Sequence, residues 1–359
     1  MKNNQQVFVI LTPGFPSNES DSTCLPFLQH LVKALNKNYT SLKLIIIAFQ
    51  YPFEAHEYLW NNNTVISFGG KNRGKLLRKI LWMKVWERLN HIRKDNNIAG
   101  LFSLWLGECA LLGKRFGERY NIPYKTWILG QDAKAANKYV ATAKPFAKDL
   151  IAVSDFIANE FFKNYLIRPI HIIPNGINKT LFKTAAVERT IDVIGAGSLI
   201  PLKQYHVFVE VISSIKKKLA NIQSVIAGAG SEKDSLQLLI TNLEVANNIL
   251  LKGEIHNIDL LALMQQSKIF LHTSSYEGFS MVCLEALYAG CHVISFCKPM
   301  NTDFKHWHVV KTKEEMSLKA IEILSQTDIE YDSVVPYSIN DTANSIMKLF
   351  IDNTTANIV

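Results

Sequence analysis

The chain has 359 residues, which is enough for roughly two domains at about 150 residues each. An apolar fraction of 48% and a charged fraction of 19% are typical of globular proteins with large cores, and they exclude a disordered chain or a coiled coil. No apolar run reaches the ~20 residues of a membrane-spanning helix, and the first apolar run is too short for a signal peptide. Five scattered cysteines without CxxC spacing favour a reducing compartment over a disulfide framework or a zinc site, so we expect a cytoplasmic protein.

The positive charge is concentrated in one segment. The chain has a formal net charge of +8, and residues 71–94 hold nine Lys or Arg and a single acid, Glu87. The rest of the chain is therefore neutral, which argues against a nucleic-acid-binding surface. Trp82 and Trp86 lie one helical turn apart in this segment, a pattern typical of helices that dock on anionic lipid headgroups. The alternative is a domain helix that packs on a sheet and exposes its lysines to solvent.

The first half of the chain alternates short β-rich runs with helical stretches. The predicted strands cover residues 7–12, 42–49, 99–106, 124–129 and 149–153, and the predicted helices cover residues 25–36, 108–119 and 155–165. This repetition predicts a parallel sheet with helices on both faces. Residues 174–190, which begin with Pro-Asn-Gly, are interpreted as a hinge.

The alternation restarts after the hinge. The predicted strands are 191–195, 222–227, 249–252, 269–273 and 292–296, and the predicted helices are 205–219, 231–246, 257–266, 279–289, 313–325 and 339–350. The prediction is an α/β fold of two doubly wound Rossmann-like domains, residues 1–175 and 176–335, with a helix in 336–359 that could pack back on the first domain. Ligands of such sheets bind outside the carboxyl ends of the strands, so we expect a site in an interdomain cleft.

Residues 274–290, SSYEGFSMVCLEALYAG, carry the strongest motif. A predicted strand ends at Ser274, a tight loop carries Glu277, and a helix that begins near residue 279 holds Glu285. Unpaired amides in the first turn of a helix suit an anion such as a diphosphate. Glu277 can then accept hydrogen bonds from sugar hydroxyls, and Glu285 from a ribose. The alternative is an acidic first turn that only stabilises the helix.

This stretch resembles the E-x7-E motif of the retaining glycosyltransferases of family 4, also called glycosyl transferases group 1, which have the GT-B fold. Five other segments resemble that family in the same order: AVS at 152–154, IPNGI at 173–177, DVIGAGSLIPLK at 192–203, IAGAGS at 226–231 and LKGE at 251–254. The resemblance covers residues 150–330 well and residues 1–150 more loosely. An ordered set of six short motifs is more specific than any one of them.

The resemblance implies a retaining, metal-independent glycosyltransferase of the hexosyltransferase type without a cofactor. It would move a sugar from a nucleotide diphospho-sugar to a hydroxyl of a glycan or lipid-linked acceptor, in cell-surface polysaccharide or glycolipid synthesis. The leaving phosphate is described in that family as helping to deprotonate the acceptor, so the protein supplies positioning and electrostatic stabilisation. The candidate catalytic residues are Glu277 and Asp132. The candidate donor-binding residues are Gly14, Ser198, Lys203, Gly228, Gly230, Gly253, Glu254, Gly278, Phe279, Ser280 and Glu285.

Several of these roles have structural alternatives. Lys203 matches the family lysine that contacts the donor diphosphate, or it is a solvated loop residue. Gly228 and Gly230 allow the backbone to approach a ligand, or they only form a sharp turn. The backbone at 252–254 matches the part of the family that reads the nucleotide base. Gly14 alone represents the family's glycine-rich loop after the first strand.

The sequence departs from the family in three places. Ser198 stands where the family has an arginine, and Ser280 where it has a second glycine. Leu129 replaces the histidine of the family's His-Gly-x-Asp run, which puts activation of the acceptor by histidine in doubt. Asp132 then remains as the group that would orient or polarise an acceptor hydroxyl, with a strand-end cap as the alternative. His272, on the strand that leads to Glu277, is interpreted as a core histidine.

Two rival functions are considered; the departures motivate the first, and the second lacks support in residues 271–290. One is a non-catalytic relative that binds a sugar nucleotide or a glycan, and the other is a GT-B sugar-nucleotide epimerase that converts the donor without an acceptor. The expected partners are the donor, the acceptor and, through residues 71–94, an anionic surface at the inner face of the cytoplasmic membrane. No nucleic acid is expected.

Overall fold

The computed structural model describes residues 6–183 and 187–355, and the chain divides into two compact units. Unit 1 combines the chain up to Gly176 with the segment that begins at Ile339, and unit 2 is Ile177–Ser338. None of the helices in the described ranges is long and apolar enough to cross a membrane.

Unit 1 contains one sheet with helices on both faces. Its strands are β1 (Gln6–Gly14), β2 (Lys43–Tyr51), β3 (Ala55–Trp60), β4 (Asn63–Phe68), β5 (Asn97–Leu104), β6 (Tyr124–Ile128), β7 (Leu150–Ala152) and β8 (His171–Ile172). Its helices are α1 (Pro26–Asn38), α2 (Lys75–Asp95), α3 (Glu108–Tyr120), α4 (Lys138–Ala143), α5 (Asp155–Tyr165) and α11 (Ile339–Thr355). The strand order over the described residues is β3-β4-β2-β1-β5-β6-β7-β8, and the neighbours are parallel except for the β3–β4 pair.

The period of two along β1 separates the two faces of this sheet. Val7, Val9 and Leu11 point into a core that α2 and α3 cover. Phe8 points to the other face, where its ring meets that of Phe350 on α11 edge to face at 4.8 Å. The C-terminal helix is therefore part of the core of unit 1.

The hairpin β3–β4 was not predicted from the sequence. It turns at Asn61 and Asn62, which both have positive φ (45° and 62°), as a two-residue loop between antiparallel strands requires. Asn is one of the residues that tolerates this conformation, so the Asn-Asn pair between two β-rich runs was the available signal.

The tryptophans of the basic segment are half-buried against unit 1. The Trp82 side chain donates a hydrogen bond from Nε1 to Glu108 Oε2 at 2.7 Å, and the Trp86 ring packs on Phe116 with centroids 5.0 Å apart. Both side chains lie against the core of unit 1. This geometry does not favour a position of the two rings among lipid headgroups, because the apolar row of α2 packs the same side of the helix onto the sheet.

Unit 2 repeats the architecture with its own sheet. Its strands are β9 (Ile191–Ala196), β10 (Ser224–Ala227), β11 (Ile249–Gly253), β12 (Ser267–His272), β13 (His292–Ser295) and β14 (Trp307–Val309). Its helices are α6 (Tyr205–Lys216), α7 (Lys233–Asn242), α8 (Asn257–Gln265), α9 (Met281–Tyr288) and α10 (Lys313–Leu324). The order over the described strands is β11-β10-β9-β12-β13-β14, all parallel, with β9 between the two halves of the sheet.

Successive residues of these strands enter opposite cores. Val193 packs with α6, α7 and α10, whereas Ile194 packs with α8 and α9. A parallel sheet that is buried on both faces needs such continuous apolar strands. In a doubly wound sheet, ligands bind at the carboxyl edge where the strand order reverses, which is the edge at β9 and β12 in unit 2.

Candidate functional site

Two charged groups meet at this edge of unit 2. Lys203 ends a 3₁₀ turn, Pro201–Lys203, that follows β9, and Glu277 lies in the loop that follows β12. Lys203 Nζ and Glu277 Oε2 form an ion pair, and each side chain is 23% exposed. The residues are 74 positions apart in sequence, and the pairing of β9 with β12 brings them together.

The backbone around Lys203 is anchored to the end of β12. Thr273 donates a hydrogen bond from Oγ1 to the carbonyl of Lys203 at 2.7 Å, and Ser274 donates one from Oγ to the carbonyl of Leu202 at 3.1 Å. These bonds hold the main chain in place, while the lysine side chain keeps its own rotatable bonds.

The neighbours of Glu277 keep it ionised. Burial alone would raise the pKa of its carboxyl, but His272 and Lys203 outweigh that effect and hold the pKa at about 2. His272 is itself buried, and its Nε2 lies 3.5 Å from Glu277 Oε2. Because burial lowers the pKa of His272 below 6.5, its imidazole is neutral at neutral pH.

Helix α9 begins beside Glu277 with unpaired amides. It begins at Met281, with Ser280 as the N-cap residue, two residues later than the sequence suggested. Within the described part of the chain, the Ser280 side chain makes no capping hydrogen bond, so the first-turn N–H groups remain available to an anion. The ring of Phe279 stacks on Trp307 in the core, so its contribution to a ligand would come from its backbone.

Glu285 lies in the opposite electrostatic environment from Glu277. Its side chain is buried on α9, and burial raises its pKa to about 7, although a hydrogen bond with Asn257 acts in the other direction. Carboxyl groups with a pKa near 7 are typical of functional sites. Burying an ionisable group costs stability, and a residue with only a structural role gains nothing in return.

The remaining donor-site candidates in unit 2 fall into two groups. Gly228 and Gly230 are required by the fold, because a Cβ atom would lie 1.9 Å from Gly197 O and 2.2 Å from Leu199 O, respectively. Gly253 has a positive φ of 76° and open space at its Cβ position. Ser198 and Glu254 are exposed, on the loops that follow β9 and β11. Their contact with a donor stays a prediction, as does that of Gly278.

The carboxyl edge of unit 1 is organised differently, around Asp132. This residue is buried, and its Oδ2 accepts a hydrogen bond from Leu106 N at 2.8 Å. Its Oδ1 accepts bonds from Leu129 N at 3.1 Å and from Gly130 N at 2.8 Å. With both oxygens engaged by backbone amides, Asp132 ties the loop after β5 to the loop after β6. The geometry favours the strand-end cap over a group that polarises an acceptor hydroxyl.

Gly14 ends β1 at the same edge of unit 1. A Cβ atom at this position would meet neighbouring atoms at ordinary distances of 3.5 Å or more. The fold therefore does not require glycine here, and a donor contact at Gly14 stays a prediction.

A cavity of about 670 Å³ lies at the other end of this sheet, lined by residues that include Glu118, Lys125 and Asp149. It opens where β5 and β6 begin. Ligands of doubly wound sheets bind at the carboxyl ends of the strands, so its position does not favour a site for the main ligand.

Unit 2 resembles a known family of enzymes. Residues 177–341 match the family model described as Glycosyl transferases group 1. One subunit of the human phosphatidylinositol N-acetylglucosaminyltransferase is 25% identical over 128 residues, 35% of this chain and 26% of that protein. The GtfA subunit of the UDP-N-acetylglucosamine–peptide N-acetylglucosaminyltransferase of Streptococcus pneumoniae serotype 4 is 26% identical over 147 residues, 41% of this chain and 29% of that protein. The aligned regions thus span less than a third of either relative.

The whole chain has the fold of a solved structure. HepE of Anabaena, in complex with UDP and glucose, superposes with a TM-score of 0.66 at 16% identity, covering 99% of this chain and 100% of that one. The predicted fold class, two doubly wound Rossmann-like units of the GT-B type, is confirmed.

Proposed function

We propose that this protein is a glycosyltransferase that moves a sugar from a nucleotide diphospho-sugar to a hydroxyl group of its acceptor, with retention of anomeric configuration. The observation that carries the proposal is the Lys203–Glu277 pair at the switch point of unit 2, next to the uncapped start of α9. The match of residues 177–341 to the group 1 family supports it.

The chemistry of the site suits a leaving diphosphate. An ammonium at Lys203 and the first-turn amides of α9 would stabilise the negative charge that grows on the phosphate as the glycosidic bond breaks. Glu277, with its pKa at about 2, stays an anion and cannot act as a general acid. Its role would be to accept hydrogen bonds from the donor sugar and to stabilise positive charge near the anomeric carbon.

The acceptor class is inferred from relatives. One relative is named for a phosphatidylinositol substrate and another for a peptide, and both are named for transfer of N-acetylglucosamine. A glycan, lipid-linked or peptide acceptor and a UDP-hexosamine or UDP-hexose donor are therefore the first substrates to test. We propose that no metal is required, because Lys203 and the α9 amides would supply the positive charge. Turnover should then survive treatment with EDTA.

Membrane docking would involve a different face of α2 from the one that the sequence suggested. Leu76, Leu77 and Met83 are 69%, 51% and 63% exposed. Lys79 and Lys84 flank them and are also exposed. We propose that this apolar and basic face, rather than the tryptophans, seats the protein on an anionic bilayer at the inner face of the cytoplasmic membrane.

A donor screen tests the enzymatic proposal. Purified protein is incubated with UDP-, GDP- and ADP-sugars, and release of the nucleoside diphosphate is measured with and without candidate acceptors. Wild-type protein should turn over at least one donor. Glu277→Gln should lose turnover more than donor affinity, since its contact strengthens in the transition state. Equal losses of the two quantities would contradict that role.

The same screen separates the rival functions. Asp132 is engaged by backbone amides and Leu129 stands in place of a histidine, so a non-catalytic sugar-nucleotide-binding protein has a specific observation in its favour. That protein would bind a nucleoside diphosphate and never release one from a sugar nucleotide. An epimerase would change the donor sugar without an acceptor.

Vesicle co-sedimentation tests the docking face. Replacement of the exposed Lys71, Arg73, Lys79 and Lys84 by Gln should release the protein from phosphatidylserine vesicles, since each basic group contributes about 1 kcal/mol near an anionic surface. A matched change of four exposed basic residues in unit 2, at Lys217, Lys218, Lys233 and Lys311, serves as the control. If wild-type protein ignores these vesicles at low salt, the docking proposal is wrong.

A further inference from the structure

His272 ends β12 and presents an unused polar atom to the candidate site. The side chain is only 5% exposed, and Nε2 has no hydrogen-bond partner among the described residues. Glu277 Oε2 lies 3.5 Å from Nε2, at the outer limit of a hydrogen bond, so the two groups attract each other without a well-formed bond. A buried nitrogen without a partner is costly, and such groups are few in native structures.

The oxygen beside His272 Nε2, Glu277 Oε2, already has another partner. Glu277 Oε2 is the atom that pairs with Lys203 Nζ. The nearby thiols of Cys283 and Cys297 do not compete for it as charged groups, because burial raises the pKa of each and keeps it neutral. The groups whose charge acts on His272 are therefore Glu277, which raises its pKa, and Lys203, which lowers it.

We propose that His272 is a positioning residue that replaces Lys203 as the partner of Glu277 when a donor diphosphate binds the lysine ammonium. This inference rests on the proposed function. A diphosphate carries more negative charge than one carboxylate, and it would compete for the ammonium of Lys203. Glu277 would then lose the partner on Oε2, and His272 Nε2–H would close the remaining distance and donate a hydrogen bond to that oxygen.

The exchange would keep Glu277 oriented while the donor is bound. The main chain at Lys203 is held by Thr273, so only the lysine side chain needs to move. His272 would hold the carboxylate in place for the sugar hydroxyls, and its unpartnered nitrogen would be satisfied in the bound state. The sequence-based interpretation of His272 as a core histidine accounts for its burial but not for its unused nitrogen.

The first test needs no donor. In a Lys203→Met variant, the ammonium that lowers the pKa of His272 is gone, so NMR titration of the sequentially assigned His272 ring should give a higher pKa than in the wild type. Lys268→Met is the matched control, because Lys268 pairs with Asp192 at the beginning of the same two strands. An unchanged His272 pKa in Lys203→Met would overturn the inference and leave the proposed function untouched.

The second test uses UDP, GDP and ADP as probes. Binding of one of them to wild-type protein should raise the His272 pKa and shift its Nε2 resonance to that of a hydrogen-bonded N–H group. Binding without a change at His272 overturns this inference alone. If none of the three binds, the proposed function fails together with the inference.

Kinetics of two variants separate positioning from packing. His272→Leu should lower kcat roughly ten- to hundredfold with little change in the donor KM, the effect expected for a lost hydrogen bond to a charged group. His272→Gln, whose amide can donate to Glu277, should recover part of the loss. Loss of kcat to the same extent in both variants would mean that the ring only fills space.

Discussion

Acidic residues near the carboxyl edges of the two sheets behave in opposite ways. In unit 1, Asp132 is surrounded by backbone amides that use both of its oxygens. In unit 2, Glu277 depends on a long lysine side chain, and Glu285 is held so far from water that its pKa rises to about 7. A buried carboxylate at the end of a strand therefore does not by itself mark a ligand site. A ligand site is marked instead by polar atoms that are still able to form hydrogen bonds or ion pairs after the contacts within the fold have been made.

The largest effect should come from the structural acid. Asp132→Ala leaves two buried N–H groups and one partly buried N–H group without an acceptor, so the free energy of unfolding of unit 1 should fall by about 3 kcal/mol or more. Five of the six tryptophans belong to unit 1, so tryptophan fluorescence during urea unfolding reports on it. Nucleoside diphosphate binding to unit 2 should persist. A fully stable variant that has lost turnover would instead make Asp132 a catalytic residue.

Glu285 should behave in the reverse manner. Burial raises the folded-state pKa of Glu285 from 4.5 to about 7, so ionisation of this group removes stability as the pH rises between those values. Glu285→Gln should therefore stabilise unit 2 above pH 7 by up to roughly 3 kcal/mol, while weakening donor binding.

Below pH 4.5 the Glu285→Gln variant and the wild type should have nearly the same free energy of unfolding. Unfolding curves at several pH values and calorimetry with the donor check the two halves of this prediction. Destabilisation of the variant at high pH would contradict the prediction, because it would mean that the ionised Glu285 has a stabilising partner.

The lysines of unit 2 allow a finer comparison within one sheet. Lys203 pairs with Glu277 at the carboxyl edge, and Lys268 pairs with Asp192 at the amino edge of the same strands, at 2.8 Å. Lys203→Ala should weaken binding of a nucleoside diphosphate roughly ten- to hundredfold and leave nucleoside binding unchanged. Lys268→Ala should change neither affinity. Equal losses in the two variants would show that they act through stability.

The smallest effect is expected at Gly14. Gly14→Ala should change the free energy of unfolding by less than about 0.5 kcal/mol, because the added Cβ meets only ordinary contacts. Gly228→Ala is the contrasting variant, since its Cβ would overlap the carbonyl of Gly197, and it should destabilise unit 2 measurably. Reduced donor affinity in Gly14→Ala at unchanged stability would place Gly14 at the donor after all.

The strands and helices could be predicted because their signals are local. Continuous apolar runs such as Val7–Leu11 mark a strand buried on both faces, and the restart of the βα alternation after residue 190 marks a second sheet. The β3–β4 hairpin was missed because its outer strand is short and mostly exposed, which leaves the Asn61–Asn62 turn as the main signal.

The sequence by itself determined the α/β class, the two doubly wound sheets and the residues from which a phosphate-binding edge would be built. Only the tertiary structure decided which groups each of those residues contacts. It turned Trp82 and Trp86 inward, gave the oxygens of Asp132 to backbone amides, and set Lys203 against Glu277 with the unpartnered nitrogen of His272 alongside. The physical reason is that periodicity depends on neighbours along the chain. Burial, pKa and hydrogen-bond partners depend instead on atoms that come from distant positions, as with Lys203 and Glu277, 74 residues apart.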